Sequence, residues 1–202
     1  METWITNVID TLGYAGLAFL VALENVFPPI PSEVVLPFAG FAAGRGSVSV
    51  VGMIIAATVG SVVGAWVLYG IAAWIGNERL ERFVEKRGRW FGVKLDDLAR
   101  AQAWFDRRQT SAVLIGRCVP LVRSVVSIPA GFQRMDPIRF TVYTAIGSLV
   151  WNTALIGTGY ALGDQWERVE EYVSVLQWIV IAVIVIAIAR FAWVRVAPRF
   201  RN

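Results

Sequence analysis

Four charged side chains stand where an apolar sequence has little reason to carry them. Glu24 and Glu33 flank Pro28, Pro29 and Pro31 in ENVFPPIPSEVVLPFAGF (24–41), and Arg117 and Arg123 flank Pro120 in GRCVPLVRSVVSIPAGF (116–132). A guanidinium keeps its charge in a low dielectric, and its planar fork matches a phosphate bidentately. A partly desolvated carboxylate near its switching point can take a proton from one side and release it to the other. Ser32 and Ser124 sit beside these charges and can add hydroxyl hydrogen bonds to an anionic group. The pattern therefore offers anion binding by Arg117, Arg123, Ser32 and Ser124, with proton exchange at Glu24 and Glu33. A competing reading pairs the four charges as buried salt bridges that hold the chain together, which is an expensive way to stabilise a fold.

Composition narrows the chemistry. The 202 residues are 56% hydrophobic with a mean hydropathy of +0.58, as expected of a single-domain integral membrane protein. There is no histidine, so histidine proton relays, histidine metal ligands and Ser-His-Asp catalysis are excluded. The single cysteine, Cys118, lies in an apolar run and reads as a small buried hydrophobe, leaving no intrachain disulfide or thiolate cluster. No metal, cofactor or enzymatic activity is expected. The excess of basic residues reads as membrane topology, and nucleic acid is not an expected partner.

The elements that must position these charges follow in order. METWITNVID has neither a basic n-region nor a small-residue cleavage site, so residues 1–10 are expected to form an interfacial helix with Trp4 at headgroup level. Residues 11–23 form an apolar run too short to cross a hydrocarbon core of ~30 Å. They lead into the proline-rich elbow, and Val34–Gly44 leads out of it, so 11–46 reads as a re-entrant hairpin closed by the turn Gly44-Arg45-Gly46. Residues 47–76 carry no charge and are long enough to span, and Gly60 and Gly64 permit close helix packing. Residues 77–108 hold nine of the nineteen Lys/Arg and six acidic residues, with Leu80, Phe83, Val84, Leu95, Leu98 and Phe105 at helical spacing. Two amphipathic helices, broken near Gly88 or Gly92, are predicted there. Residues 109–132 form a second hairpin, 140–163 an uncharged span, 172–194 a further span after an acidic loop at Asp164–Glu171, and 195–202 a basic tail. Trp151 and Asn152 fall mid-span, where they can line a cavity; Tyr69 and Tyr160 read as interfacial or packing residues.

The two hairpins are related. Shifting the chain by 91 residues lays PIPSEVVLPFAGF (29–41) over PLVRSVVSIPAGF (120–132), with six of thirteen positions identical. If both hairpins are re-entrant, fifteen of the nineteen Lys/Arg fall on one side, in 77–108, 133–139 and the C-terminal stretch from Arg190, against Arg45 and Arg168 on the other. The positive-inside rule makes the first side cytoplasmic, so the hairpins enter from opposite faces. The expected fold is an all-α polytopic membrane protein. It comprises an inverted repeat of re-entrant hairpin plus transmembrane helix, with one additional C-terminal span. Such repeats commonly place a substrate site near the bilayer midplane, where the hairpin tips meet.

At these residues the sequence resembles the DedA family of bacterial membrane proteins (the SNARE-associated or VTT-domain superfamily). The matching pieces are E-x-x-x-P-P-x-P-S-E-x-x-x-P-x-A-G at 24–40 and G-R-x-x-P-x-x-R-x-x-x-x-x-P-A-G at 116–131, followed by Met135, Phe140, Gly147 and Trp151. Gly60, Gly64 and Tyr69 fit a further motif, whereas position 72 is alanine in place of the family's glycine. The likeness covers roughly residues 10–165. It implies a flippase or scramblase for undecaprenyl phosphate or a phospholipid in the bacterial cytoplasmic membrane, with proton coupling, and it carries the family's essential charged positions onto Glu24, Glu33, Arg117 and Arg123. The expected partners are an anionic membrane lipid and protons, and a homo-oligomer is compatible with the pattern. A proton-coupled ion or drug antiporter, or a non-transporting assembly scaffold, are the alternatives; a lipid phosphatase lacks the nucleophile–base set it would need.

Overall fold

The computed structural model describes residues 2–27, 32–46, 48–91, 95–120 and 122–162, and among them no strand occurs. The helices are α1 (Glu2–Val26), α2 (Ser32–Gly44), α3 (Val50–Ile75), α4 (Asn77–Phe91), α5 (Leu95–Arg117), α6 (Val122–Val125), α7 (Ser127–Phe132) and α8 (Pro137–Leu162). The elbow prolines Pro28, Pro29 and Pro31, the acidic loop, the expected span at 172–194 and the basic tail lie outside the described residues.

Among the described residues two helices are long and apolar enough to cross a membrane, α3 and α8, with 26 residues each. At 1.5 Å per residue each extends ~39 Å, more than the ~30 Å hydrocarbon core. Their composition is inverted relative to a water-soluble core helix. The outward faces carry Val51, Ile55, Val59 and Val63 on α3 and Val142, Ile146 and Val150 on α8. The buried faces carry Ala57, Gly60, Ser61 and Gly64 on α3 and Gly147, Ser148, Asn152 and Gly159 on α8. Lipid solvates the first set, and small residues let backbones approach in the second.

The remaining apolar helices, Gly13–Val26, Glu33–Gly44 and Val122–Phe132, are too short to span. They pack reciprocally: α1 lies along α3 and α2 along α8, while α5 lies along α8 and α7 along α3. Depth can be read from the contacts. Near the start of α3 the Tyr14 ring covers Gly52, and the Tyr14 hydroxyl accepts the Ser49 N–H at 2.8 Å. Midway along α3, Gly60 and Gly64 face the Ala18 and Ala22 carbonyls, and Asn25 lies against Gly64. Thereafter α2 runs back along α8, with Gly40 on the Ile156 carbonyl and Gly44 beside the Tyr160 ring. In the other half Gly147, near the middle of α8, faces the Leu114 carbonyl and the Arg117 side chain, and Gly131 of α7 sits on the Tyr69 carbonyl and Ala72.

These backbone-on-backbone contacts leave no room for a Cβ. Gly131→Ala would set a methyl group against the Tyr69 carbonyl, where neither side can yield as a flexible side chain would. The expected cost is that of overpacking, about 1–3 kcal/mol, read as a lower melting temperature of the purified protein.

Several boundaries differ from the sequence reading. The expected interfacial helix at 1–10 and the first hairpin arm are joined in α1, with the break at Gly13 (φ 51°, ψ −124°), a conformation glycine tolerates. Within α5 two helical segments meet at Arg108, beside the expected boundary between 108 and 109. The change from charged to apolar surface at residue 109 is met by a kink at Arg108 (φ −134°, ψ 22°). Of the two expected break points, Gly88 lies inside α4, whereas α4 ends at Phe91, beside Gly92. Cys118 is half-buried rather than buried, its thiol directed to the Leu114 carbonyl at 3.6 Å. Arg45 and Gly46 do form the turn after α2, with Gly46 at φ 84°.

Candidate functional site

The second hairpin turns because its backbone runs out of helix. After α5, Cys118 and Val119 bond back only three residues, to Ile115 and Gly116, and Pro120 then ends the helix. Short α6 and α7 follow. Pro129 is tolerated in the first turn of α7, where its missing N–H has no intrahelical partner to lose. This path brings Arg117, Arg123, Ser124 and Ser127 against the end of α1, and all four are buried.

There they meet Glu24 and Asn25, also buried. Arg123 forms an ion pair with Glu24 through Nη2 and Oε1. Glu24 Oε2 is buried with no hydrogen-bond partner among the described residues. Arg117, only 1% exposed, is treated differently. Its Nη1 donates to Asn25 Oδ1 at 3.1 Å and its Nη2 to Ser127 Oγ at 2.6 Å, while Nε has no partner among the described residues. None of these partners is charged. A buried guanidinium with five donors is thus held by two neutral side chains and matched by no carboxylate among the described residues.

Asn25 is the hub that the sequence reading missed. Its Oδ1 accepts from Arg117 and, at 3.5 Å, from the Ser124 hydroxyl; its Nδ2 donates to Val21 O at 3.1 Å and Ser61 O at 3.5 Å. It thereby ties α1, α3, α5 and α6 together. Its position directly after Glu24, in a buried turn of an apolar helix, was the available signal. Ser127, one turn beyond Arg123, was missed likewise. Asn152 is fully buried as the mid-span reading suggested, donating to Thr58 Oγ1 at 3.3 Å and Ser61 Oγ at 3.4 Å. Trp151 packs partly buried beside the apolar cluster that includes Leu20, Leu36 and Ile156, its indole N–H without a partner among the described residues. Tyr69 packs inside, its hydroxyl donating to Met135 O at 2.6 Å, whereas Tyr160 is half exposed.

The structure does not gather all four charges. Glu33 lies in the first turn of α2, half-buried, and forms no ion pair among the described residues. Ser32 is the first residue of α2. Glu33 makes no ion pair or hydrogen bond with the Arg117–Asn25–Ser127 network among the described residues.

This network makes a specific test available. Asn25→Asp keeps the shape of Asn25 but supplies Arg117 with a carboxylate. The bond to the guanidinium would strengthen, but the aspartate loses the Nδ2 donor to Val21 O and Ser61 O, so no rise in melting temperature is expected. Affinity for an external anion should fall at least about tenfold, measured by displacement of a bound phosphate lipid, since the guanidinium is then already neutralised.

The chain is similar to known membrane proteins along most of its length. The VTT domain model matches residues 30–161. The chain is 40% identical over 192 residues to a Staphylococcus aureus protein named undecaprenyl phosphate transporter A, covering 95% of each chain. It is 32% identical over 188 residues to the Bacillus subtilis protein of the same name, covering 92% of this chain and 89% of that one. A Lactococcus lactis relative named alkaline phosphatase-like protein is 41% identical over 207 residues, covering all of this chain and 97% of its own. No solved structure matches significantly. With the paired motifs, the two spans and a domain match across most of its length, the chain belongs to the VTT-domain family of helical membrane proteins, the DedA family.

Proposed function

We propose that the protein moves an anionic lipid phosphate between bilayer leaflets, with undecaprenyl phosphate as the first cargo to test. The observation that carries this reading is Arg117: a buried guanidinium held in place by Asn25 and Ser127 yet matched by no carboxylate among the described residues. An uncompensated buried cation is costly, and an arriving phosphate would supply the missing charge. The transporter names of the relatives point to the same cargo.

In this reading the two hairpins are re-entrant and inverted, entering from opposite faces and meeting at mid-depth. The short helices, the reciprocal packing and the mid-span positions of Asn25 and Arg117 support it. The charge bias sets α4 and the C-terminus toward the cytoplasm. Glu24 exchanges a proton as Arg123 alternates between it and the cargo, Glu33 serves the same proton path, and Ser32 and Ser124 add hydroxyls to the headgroup. The protein is not an enzyme in this reading. The phosphatase-like name of one relative is weighed against the absence of any histidine from the sequence, which removes the usual metal and base sets for phosphate ester hydrolysis.

The test is leaflet exchange of labelled undecaprenyl phosphate, phosphatidylglycerol and phosphatidylcholine in proteoliposomes, with and without a pH gradient, with released phosphate measured in parallel. Exchange of the phosphate lipid, accelerated by the gradient and without phosphate release, is expected. Exchange absent from folded protein would sink the lipid reading, and phosphate release would revive the enzyme.

A further inference from the structure

A second cluster of cations lies away from the buried site, where α3 gives way to α4. Gly76, at φ 72°, ends α3 and turns the chain sharply, so that α4 starts one residue later. The turn that follows α7 arrives at the same place. Together they line a cavity of about 550 Å³ that includes Trp74, Asn77, Arg79, Arg82, Gln133 and Arg134. An adjoining open groove of about 540 Å³ shares Arg79 and Arg82 and continues past Phe83 to Lys86 and Arg87. Residues 79, 82, 83, 86 and 87 recur at helical spacing, so they form one face of α4.

Three features set this apart from an ordinary solvated charge run. First, the floor is fixed: Gln102 Nε2 donates to Asn77 Oδ1 at 3.2 Å and Asn77 Nδ2 to Gln133 Oε1 at 3.5 Å, which ties α5, α4 and the turn after α7 together. Second, no carboxylate pairs with these cations among the described residues. Glu78 also lines the cavity, but it offers Arg82 Nε only its backbone carbonyl, and Arg79, Arg82 and Arg134 form no ion pair among the described residues. Third, Arg134 is held at φ 47°, a left-handed conformation unusual for a side chain with a Cβ, and one that functional sites concentrate. Trp74, 77% exposed at the end of a span, marks the headgroup level, and the Arg79 guanidinium lies 5.4 Å from its ring centroid.

We propose that this junction is a second anionic site, which holds the phosphate of an acidic membrane lipid at the membrane surface. Charge complementarity selects the occupant. The clustered guanidiniums suit a phosphate, the exposed Trp74 and Phe83 suit the glycerol and upper acyl region, and a zwitterionic headgroup would bring its own cation against Arg79 and Arg82. The site abuts Phe132 and Gln133, the exit of the second hairpin arm, so a lipid held there waits next to the segment that carries Arg123 and Ser127.

Native mass spectrometry of the full chain, titrated with phosphatidylglycerol and with phosphatidylcholine of identical acyl chains, tests it. To separate the two sites, the background is Arg117→Met. Phosphatidylglycerol retention is expected to persist there and to fall at least fivefold on adding Arg79→Ala and Arg82→Ala, with phosphatidylcholine retention unchanged. Arg134→Gly in the otherwise natural chain provides a second arm. Glycine accepts φ 47° without strain, so the fold is kept while one guanidinium is lost, and retention should fall at least twofold. Selective retention that survives both changes would overturn the site, as would an equal loss of the two lipids. Failure of leaflet exchange in the natural chain would leave this binding result standing, so the two readings fail separately.

Discussion

Arg117→Met is expected to abolish exchange of a phosphate lipid while leaving the protein as stable as before, or more so. The two effects have separate physical origins. Truncating a buried charge that binds an opposite charge costs about 2–5 kcal/mol of interaction, so exchange should drop at least about thirtyfold. In the unliganded protein the same guanidinium has been taken out of water with only Asn25 Oδ1 and Ser127 Oγ to compensate, and its Nε has no partner among the described residues. Replacing such a group by an apolar side chain of similar length removes the desolvation cost. Methionine leaves Asn25 Oδ1 with the weak Ser124 bond and Ser127 Oγ without this donor, at about 1.5–3 kcal/mol for each lost bond to the charged guanidinium, against the desolvation cost of several kcal/mol that is removed. The melting temperature should therefore hold or rise. A sharp fall in melting temperature with exchange retained would mean that Arg117 is a structural clamp. Arg117→Lys should not restore exchange, because one ammonium cannot reach both Asn25 and Ser127 and still present a planar fork to the ligand.

The spans were legible because charge is excluded from them: the uncharged runs 47–76 and 140–163 contain or closely overlap α3 (Val50–Ile75) and α8 (Pro137–Leu162). Proline spacing made the short helices legible in the same way. What the sequence could not reveal was the pairing of elements. Gly60 and Gly64 announce a close approach, but Ala18 and Ala22 opposite them carry no distinguishing chemistry, since it is their carbonyls that make the contact. The boundary near residue 109 was legible because the charged run ends there, and the backbone leaves helical geometry at Arg108.

The site was half legible. Charges in an apolar run are conspicuous because burying them is costly, so Glu24, Arg117 and Arg123 stood out. Asn25 and Ser127 did not, because a buried amide or hydroxyl is unremarkable until its partner is known. The assignment of Glu24 to Arg123 rather than Arg117 depends on the local path through Pro120, α6 and α7, which residue types do not encode. Glu33 resembled Glu24 in sequence. At the start of α2, however, it forms no ion pair among the described residues.

The Glu24–Arg123 pair gives the other large effect, and a double-mutant cycle separates its two roles. Glu24→Gln or Arg123→Gln alone leaves an uncompensated buried charge, with an expected loss of about 3–5 kcal/mol. Glu24→Gln together with Arg123→Gln removes both charges and retains a hydrogen-bonding amide on each side. Stability measured by chemical denaturation should then return to within about 1 kcal/mol of the natural chain, because a buried ion pair and a neutral replacement differ little in net free energy. The readings part on transport. If the pair only clamps α1 to α6, the double variant should regain exchange along with stability. If Glu24 carries the proton and Arg123 must leave it to meet the cargo, no neutral pair can replace them, and the double variant should be stable and inactive with or without a pH gradient. The second outcome is expected, because Glu24 Oε2 is buried without a partner among the described residues. A carboxylate oxygen placed only to clamp a helix would be satisfied on both sides; one that exchanges a proton needs a free lone pair to receive it.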